Sequence, residues 1–125
     1  MPRVAEKLQN LGADSVKDKH DPHKAIDYII ANAKKFAKAK AERIYLEEFR
    51  KSKKALLMAQ SSAQAANARE QDAYAHPEYI ALLEGLKQAV EVEEALRWDL
   101  IAAQARVEVW RTEQANNRAQ DRATQ

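Results

Sequence analysis

The chain has 125 residues, with 21 Lys or Arg against 19 Asp or Glu, two glycines, three prolines and no cysteine. So few turn formers exclude a β-rich or mixed domain of this size. The missing cysteine excludes disulfides, thiolate metal sites and a cysteine nucleophile. Ala, Gln, Glu, Lys, Arg and Leu, all good helix formers, dominate what remains. The prediction is an all-α fold: a long antiparallel helical hairpin, coiled-coil-like, assembling into a dimeric four-helix bundle.

Residues 1–20 read as an N-terminal segment. "VAEKLQNLG" forms a short helix that stops at Gly12, and "ADSVKDKHD" is a polar connector. Asp21 then N-caps a first helix with Pro22 at its first position, expected over about 22–74. Its buried stripe is expected at Ile26, Ile30, Ala33, Ala37, Ala41, Tyr45, Phe49, Leu56, Ala59, Ala63 and Ala66. Past Met58 the stripe is alanine alone. That leaves either a slender helix packed close to its neighbour or a mobile stretch near a turn, and the continuous helix is the reading preferred.

His76-Pro77 marks the second start, and a helix follows over about 77–117, roughly 60 Å long at ~1.5 Å per residue. Residues 119–125 are expected to be a frayed polar tail. Leu82, Leu86, Ala89, Glu93, Leu96, Leu100, Ala103, Val107 and Trp110 step by four and three, a coiled-coil seam with one polar interruption at Glu93. After Glu93 a second face appears, carrying Trp98, Ile101, Ala102, Ala105 and Val109. A helix that is apolar on two sides has two neighbours. One neighbour is the first helix, and the other is either the N-terminal segment folded back or a second copy. With the second copy preferred, Trp98, Ile101, Ala105 and Val109 are the expected oligomer interface, and the chain is expected to be a homo-oligomer, a dimer first.

Charge is uneven. Residues 34–54 hold nine bases against three acids, while residues 70–99 hold eight acids against Lys87 and Arg97. The basic run is a candidate footprint for nucleic-acid phosphates. In an antiparallel hairpin, Arg111 and Arg118 come alongside it. The candidate nucleic-acid-binding set is Lys34, Lys35, Lys38, Arg43, Arg50, Lys51, Lys53, Lys54, Arg111 and Arg118. The competing reading is a solvated face laced by pairs such as Glu47–Lys51. The acidic stretch is most simply a solvated face; its sharper reading is docking to a basic partner, or pairing with the basic half of another copy.

No catalytic constellation stands out. His20, Asp21 and His23 near a helix start read as capping chemistry, and no P-loop, dinucleotide fingerprint or Glu-x-x-His pair occurs. No enzyme activity, cofactor or metal is expected. No apolar run approaches the ~20 residues of a membrane span, and there is no signal-peptide core. A soluble cytoplasmic protein without membrane contact is the expectation.

The stretches "KAKAERIYLEEFRKSKKALLM" and "LRWDLIAAQARVEVWRTEQANNR" resemble those of small, uncharacterised coiled-coil proteins of tailed bacteriophages, encoded in early regions near recombination and replication functions. The likeness covers about residues 25–118. It implies a phage or prophage origin, the bacterial host cytoplasm and an accessory role, and it transfers no functional residue. The expected function is a non-enzymatic accessory protein that self-associates and binds DNA or a DNA-handling protein. The rival readings are an interaction module, such as an inhibitor of a host enzyme or defence system, and a virion component.

Overall fold

In the computed structural model, which describes residues 21–124, all regular structure is helical. The elements are α1 (Pro22–Gln60), α2 (Ala66–Ala75) and α3 (Pro77–Thr124). The leading segment expected over residues 1–20 lies outside the described residues. Among those described, no helix is long and apolar enough to cross a membrane.

The two long helices each start for a local reason. The Asp21 carboxylate accepts the backbone N–H groups of His23 at 2.9 Å and Lys24 at 3.3 Å, satisfying donors that the first turn leaves open. Those bonds, from Lys24 first and then His23, hold the Asp21 carboxyl below its usual range. His76 is extended, at φ −67° and ψ 135°, as a residue before proline prefers. Its ring Nδ1 accepts the Glu78 N–H at 3.1 Å, and its carbonyl accepts the N–H groups of Tyr79 and Ile80. His76 therefore caps α3 with its side chain as well as turning the chain.

Two expected boundaries are corrected. The first helix ends at Gln60 rather than running to about residue 74, and α2 is a separate short helix. Ser61 supplies the reason. Its hydroxyl donates to the Asp72 carboxylate at 2.6 Å and accepts the Ala63 N–H at 3.1 Å, while the Arg69 guanidinium donates to the Ala63 carbonyl at 2.6 Å. Side-chain bonds of this kind replace the helical ladder. The polar tail, expected to fray from about residue 119, instead continues α3 to Thr124. Its Ala, Gln and Arg favour helix, and no glycine or proline follows Gly85 to stop it.

The described residues divide into two compact units, residues 36–95 and residues 21–35 with 96–124. In the first, Leu57, Ala73 and Tyr79 form the buried cluster, with Met58 packed against it. The Tyr74 and Tyr79 rings meet edge-on at 5.3 Å. Lys53 meets Glu78 and Arg43 meets Glu93, so numbering rises along α1 as it falls along α3. In the second unit Ala25 and Ala103 are buried. The Tyr28 hydroxyl donates to Asp99 at 3.1 Å, and the His23 ring meets the edge of Trp110 at 6.1 Å. Burial and then the Asp99 carboxylate push the Tyr28 phenol up.

On α3 burial follows the expected stripe as far as Val107: Glu93 and Ala103 are buried, and Leu82, Leu86, Ala89, Leu96, Leu100 and Val107 are half-buried, whereas Trp110 at its end is exposed. On α1 it does not. Ile26, Ile30, Tyr45 and Leu56 are exposed, Ile30 by 70%. A covered row runs instead through Ala25, Ile29, Asn32, Phe36, Ala39, Arg43, Leu46, Arg50, Lys53 and Leu57, which also step by four and three. A search for apolar residues passes over this stripe because Asn32, Arg43, Arg50 and Lys53 are part of it.

Candidate interaction surfaces

Within residues 36–95 the inward face of α1 is partly basic and that of α3 carries an acid, which makes the contact ionic. The Arg43 guanidinium donates to Glu93 through Nε and, at 3.1 Å, through Nη2. Its Nη1 reaches both Glu47 oxygens at 3.1 Å. Glu93 is nearly closed to solvent, so its charge relies on this planar, two-pronged partner. Arg43 accordingly holds the Glu93 carboxyl below the usual glutamate range, and Glu93 and then Glu47 push the Arg43 guanidinium up. Lys53 Nζ lies 2.8 Å from Glu78 and holds that carboxyl low. Lys54 Nζ lies 3.1 Å from Glu70 and 4.7 Å above the Tyr74 ring, and Tyr74 and then Glu70 raise its ammonium.

These pairs sort the ten candidate nucleic-acid residues. Arg43, Lys53 and Lys54 are bound to acids distant in sequence. Lys51 and Arg111 make exposed i,i+3 pairs with Glu48 at 3.4 Å and Glu108 at 2.9 Å, a kind of contact that contributes little. Lys34, Lys35, Lys38, Arg50 and Arg118 have no ion pair among the described residues. The structure brings Arg50, Lys51 and Lys54 together with Tyr74 and Tyr79 around one cleft of about 350 Å³. Spacing along the chain does not reveal the tyrosines' part in it, because they follow the helix break.

A second cavity in this unit is apolar. Ala39, Glu42 and Leu46 of α1 and Gly85, Gln88, Ala89 and Val92 of α3 line a groove of about 410 Å³. Tyr45 and Phe49 fall on the same flank of α1 by helical spacing, their rings stacked at 5.8 Å. Tyr45 is 58% and Val92 55% exposed.

In the unit of residues 21–35 and 96–124, the four residues expected at an oligomer interface are all exposed: Trp98, Ile101, Ala105 and Val109. Trp98 is 59% exposed, with the Arg97 guanidinium 4.8 Å above its ring. Trp110 sits against His23 instead, so the two tryptophans occupy different surroundings, as their spacing on the helix requires. Among the described residues no three His, Asp or Glu side chains gather as metal ligands would. Compared with protein-family models, curated proteins and solved structures, the chain matches none of them.

Proposed function

We propose that this chain is a non-enzymatic helical-hairpin protein that self-associates into a four-helix bundle and acts as an accessory factor in phage DNA metabolism, working through contact with a DNA-handling protein. The observation that carries the reading is apolar surface left uncovered on helices with a thin interior. Among the described residues no large side chain is fully buried, while Ile30, Tyr45, Leu56, Val92, Trp98 and Val109 are exposed. Contiguous exposed apolar surface marks sites of association. The Trp98, Ile101, Ala105 and Val109 face is one such surface, and the phage resemblance supplies the setting. Sedimentation equilibrium of the full chain tests the self-association: a reversible dimer is expected, and a monomer throughout the micromolar range overturns it.

Direct DNA contact is the second reading, favoured by one observation: Arg50 and Lys51 line a cleft beside Tyr74 and Tyr79. The phosphate footprint is smaller than the ten-residue set, because acids hold Arg43, Lys53 and Lys54. Fluorescence anisotropy with labelled single- and double-stranded DNA at low and near-physiological salt separates the readings. A steep log–log salt slope that shrinks in an Arg50→Glu, Lys51→Glu variant supports DNA contact. Absence of binding at low salt removes it and leaves the protein-contact reading.

A further inference from the structure

Gly85 lies well inside α3, where glycine destabilises a helix relative to any ordinary residue. Neither usual reason for a helical glycine applies. Its φ is not positive, and a Cβ built there meets nothing within 4 Å. The fold of a single chain does not need glycine at this position. The space it leaves is the floor of the apolar groove between α1 and α3, walled by Ala39, Leu46, Ala89 and Val92.

We propose that this groove is the contact between two copies of the chain, related by a two-fold axis parallel to the helices, so that α1 of each copy lies over α3 of the other. The proposal rests on the self-association reading and assigns it to the Gly85 groove rather than to the Trp98 face.

Charge selects the occupant and the arrangement. With the charges already paired inside one chain set aside, α1 over residues 36–60 carries Lys38, Lys40 and Arg50 against Glu42, and α3 over residues 77–95 carries Glu84 and Glu91 against Lys87. A second copy laid α1 over α3 sets a basic helix on an acidic one at both places. Laid α1 over α1, it sets bases against bases, a penalty that discriminates between registers.

The register follows from the pairs inside the chain. With Lys53 level with Glu78, Leu46 stands level with Gly85. An axis parallel to the helices preserves level, so the second copy's Tyr45 and Leu46 come opposite the Gly85 notch. Tyr45, a large side chain still mostly exposed and stacked flat on Phe49, is the knob that the notch accepts. Aromatic anchors set in small-residue pockets dominate interface energies.

The test uses the full chain. Gly85→Leu fills the notch with a strong helix former, so helix content by circular dichroism stays at the wild-type level. The dimer dissociation constant by sedimentation equilibrium rises about tenfold or more. A wild-type monomer overturns the groove and the self-association reading together. A dimer unmoved by Gly85→Leu but broken by Trp98→Glu overturns the groove alone. The arrangement has its own readout, because the chain has no cysteine. Under oxidation a mixture of Tyr45→Cys and Gly85→Cys chains cross-links, while either variant alone does not. Efficient cross-linking of Tyr45→Cys to itself overturns the α1-over-α3 arrangement.

Discussion

Leu57 is the largest aliphatic side chain in the interior. It is 3% exposed, clustered with Ala73 and Tyr79, and flanked by half-buried Met58. Leu57→Ala removes three carbons from the buried apolar cluster that joins α1, α2 and α3 within residues 36–95. A fully buried leucine replaced by alanine costs its transfer free energy plus a cavity term, about 3–5 kcal/mol in a rigid core. Here Met58 is flexible and partly exposed, so it can move into the space, and the cost falls to about 2–3 kcal/mol. For a chain of this size that corresponds to a fall in melting temperature of roughly 10 °C. Urea denaturation followed by far-ultraviolet circular dichroism measures it as a lower midpoint with an unchanged slope. A loss smaller than about 0.5 kcal/mol, the ordinary range of surface substitutions, would refute the view that this cluster anchors the bend.

Acid should loosen the protein. Arg43 depresses the Glu93 carboxyl and Lys53 depresses that of Glu78, both below the ordinary 4.5. Their contribution is fully present above that value and is lost as pH falls through the lower folded values. The urea midpoint should drop between pH 6 and pH 3, less so in Glu93→Gln, and an equal drop in both proteins would assign the effect elsewhere. Glu93→Ala leaves Arg43 half-buried with only Glu47. Its urea midpoint should fall well below that of the exposed control Glu48→Ala, and matching midpoints would deny Glu93 a structural role. Gly85→Ala, with open space around its Cβ, should stabilise the chain by about 1 kcal/mol in dilute solution. A destabilised variant would mean that the glycine already accommodates a close neighbour within one chain.

The second long helix was legible because leucines mark its inward face at nearly every turn, and both long-helix starts were legible from Asp21-Pro22 and His76-Pro77. The inward face of α1 was not, because it is built from the residues that hydrophobic patterning discounts. Asn32, Arg43, Arg50 and Lys53 are covered while Ile30 and Leu56 are not. What makes Arg43 tolerable there is Glu93, 50 residues away, and no local spacing reveals that partner. The break at Ser61 was hidden for a related reason. Alanine favours helix, so the stretch reads as continuous, and the break rests on a serine hydroxyl reaching Asp72 across 11 residues. The basic candidates suffered likewise: their number was readable, but which of them an acid already holds was set by pairing across the bend.

The bend also orders events in time. Contacts beside it close short loops: Ser61 to Asp72 spans 11 residues and Lys54 to Glu70 spans 16, while Tyr28 to Asp99 spans 71. Closing the last directly, rather than the second, costs about 1.3 kcal/mol more in chain entropy, at ~0.6 kcal/mol per doubling of length. Once the bend has formed, each further pair closes only a small additional loop. Such a chain folds as a zipper whose first tooth is the Leu57 cluster. In stopped-flow refolding and unfolding, substitutions there should slow folding, whereas substitutions around Tyr28 and Asp99 should speed unfolding.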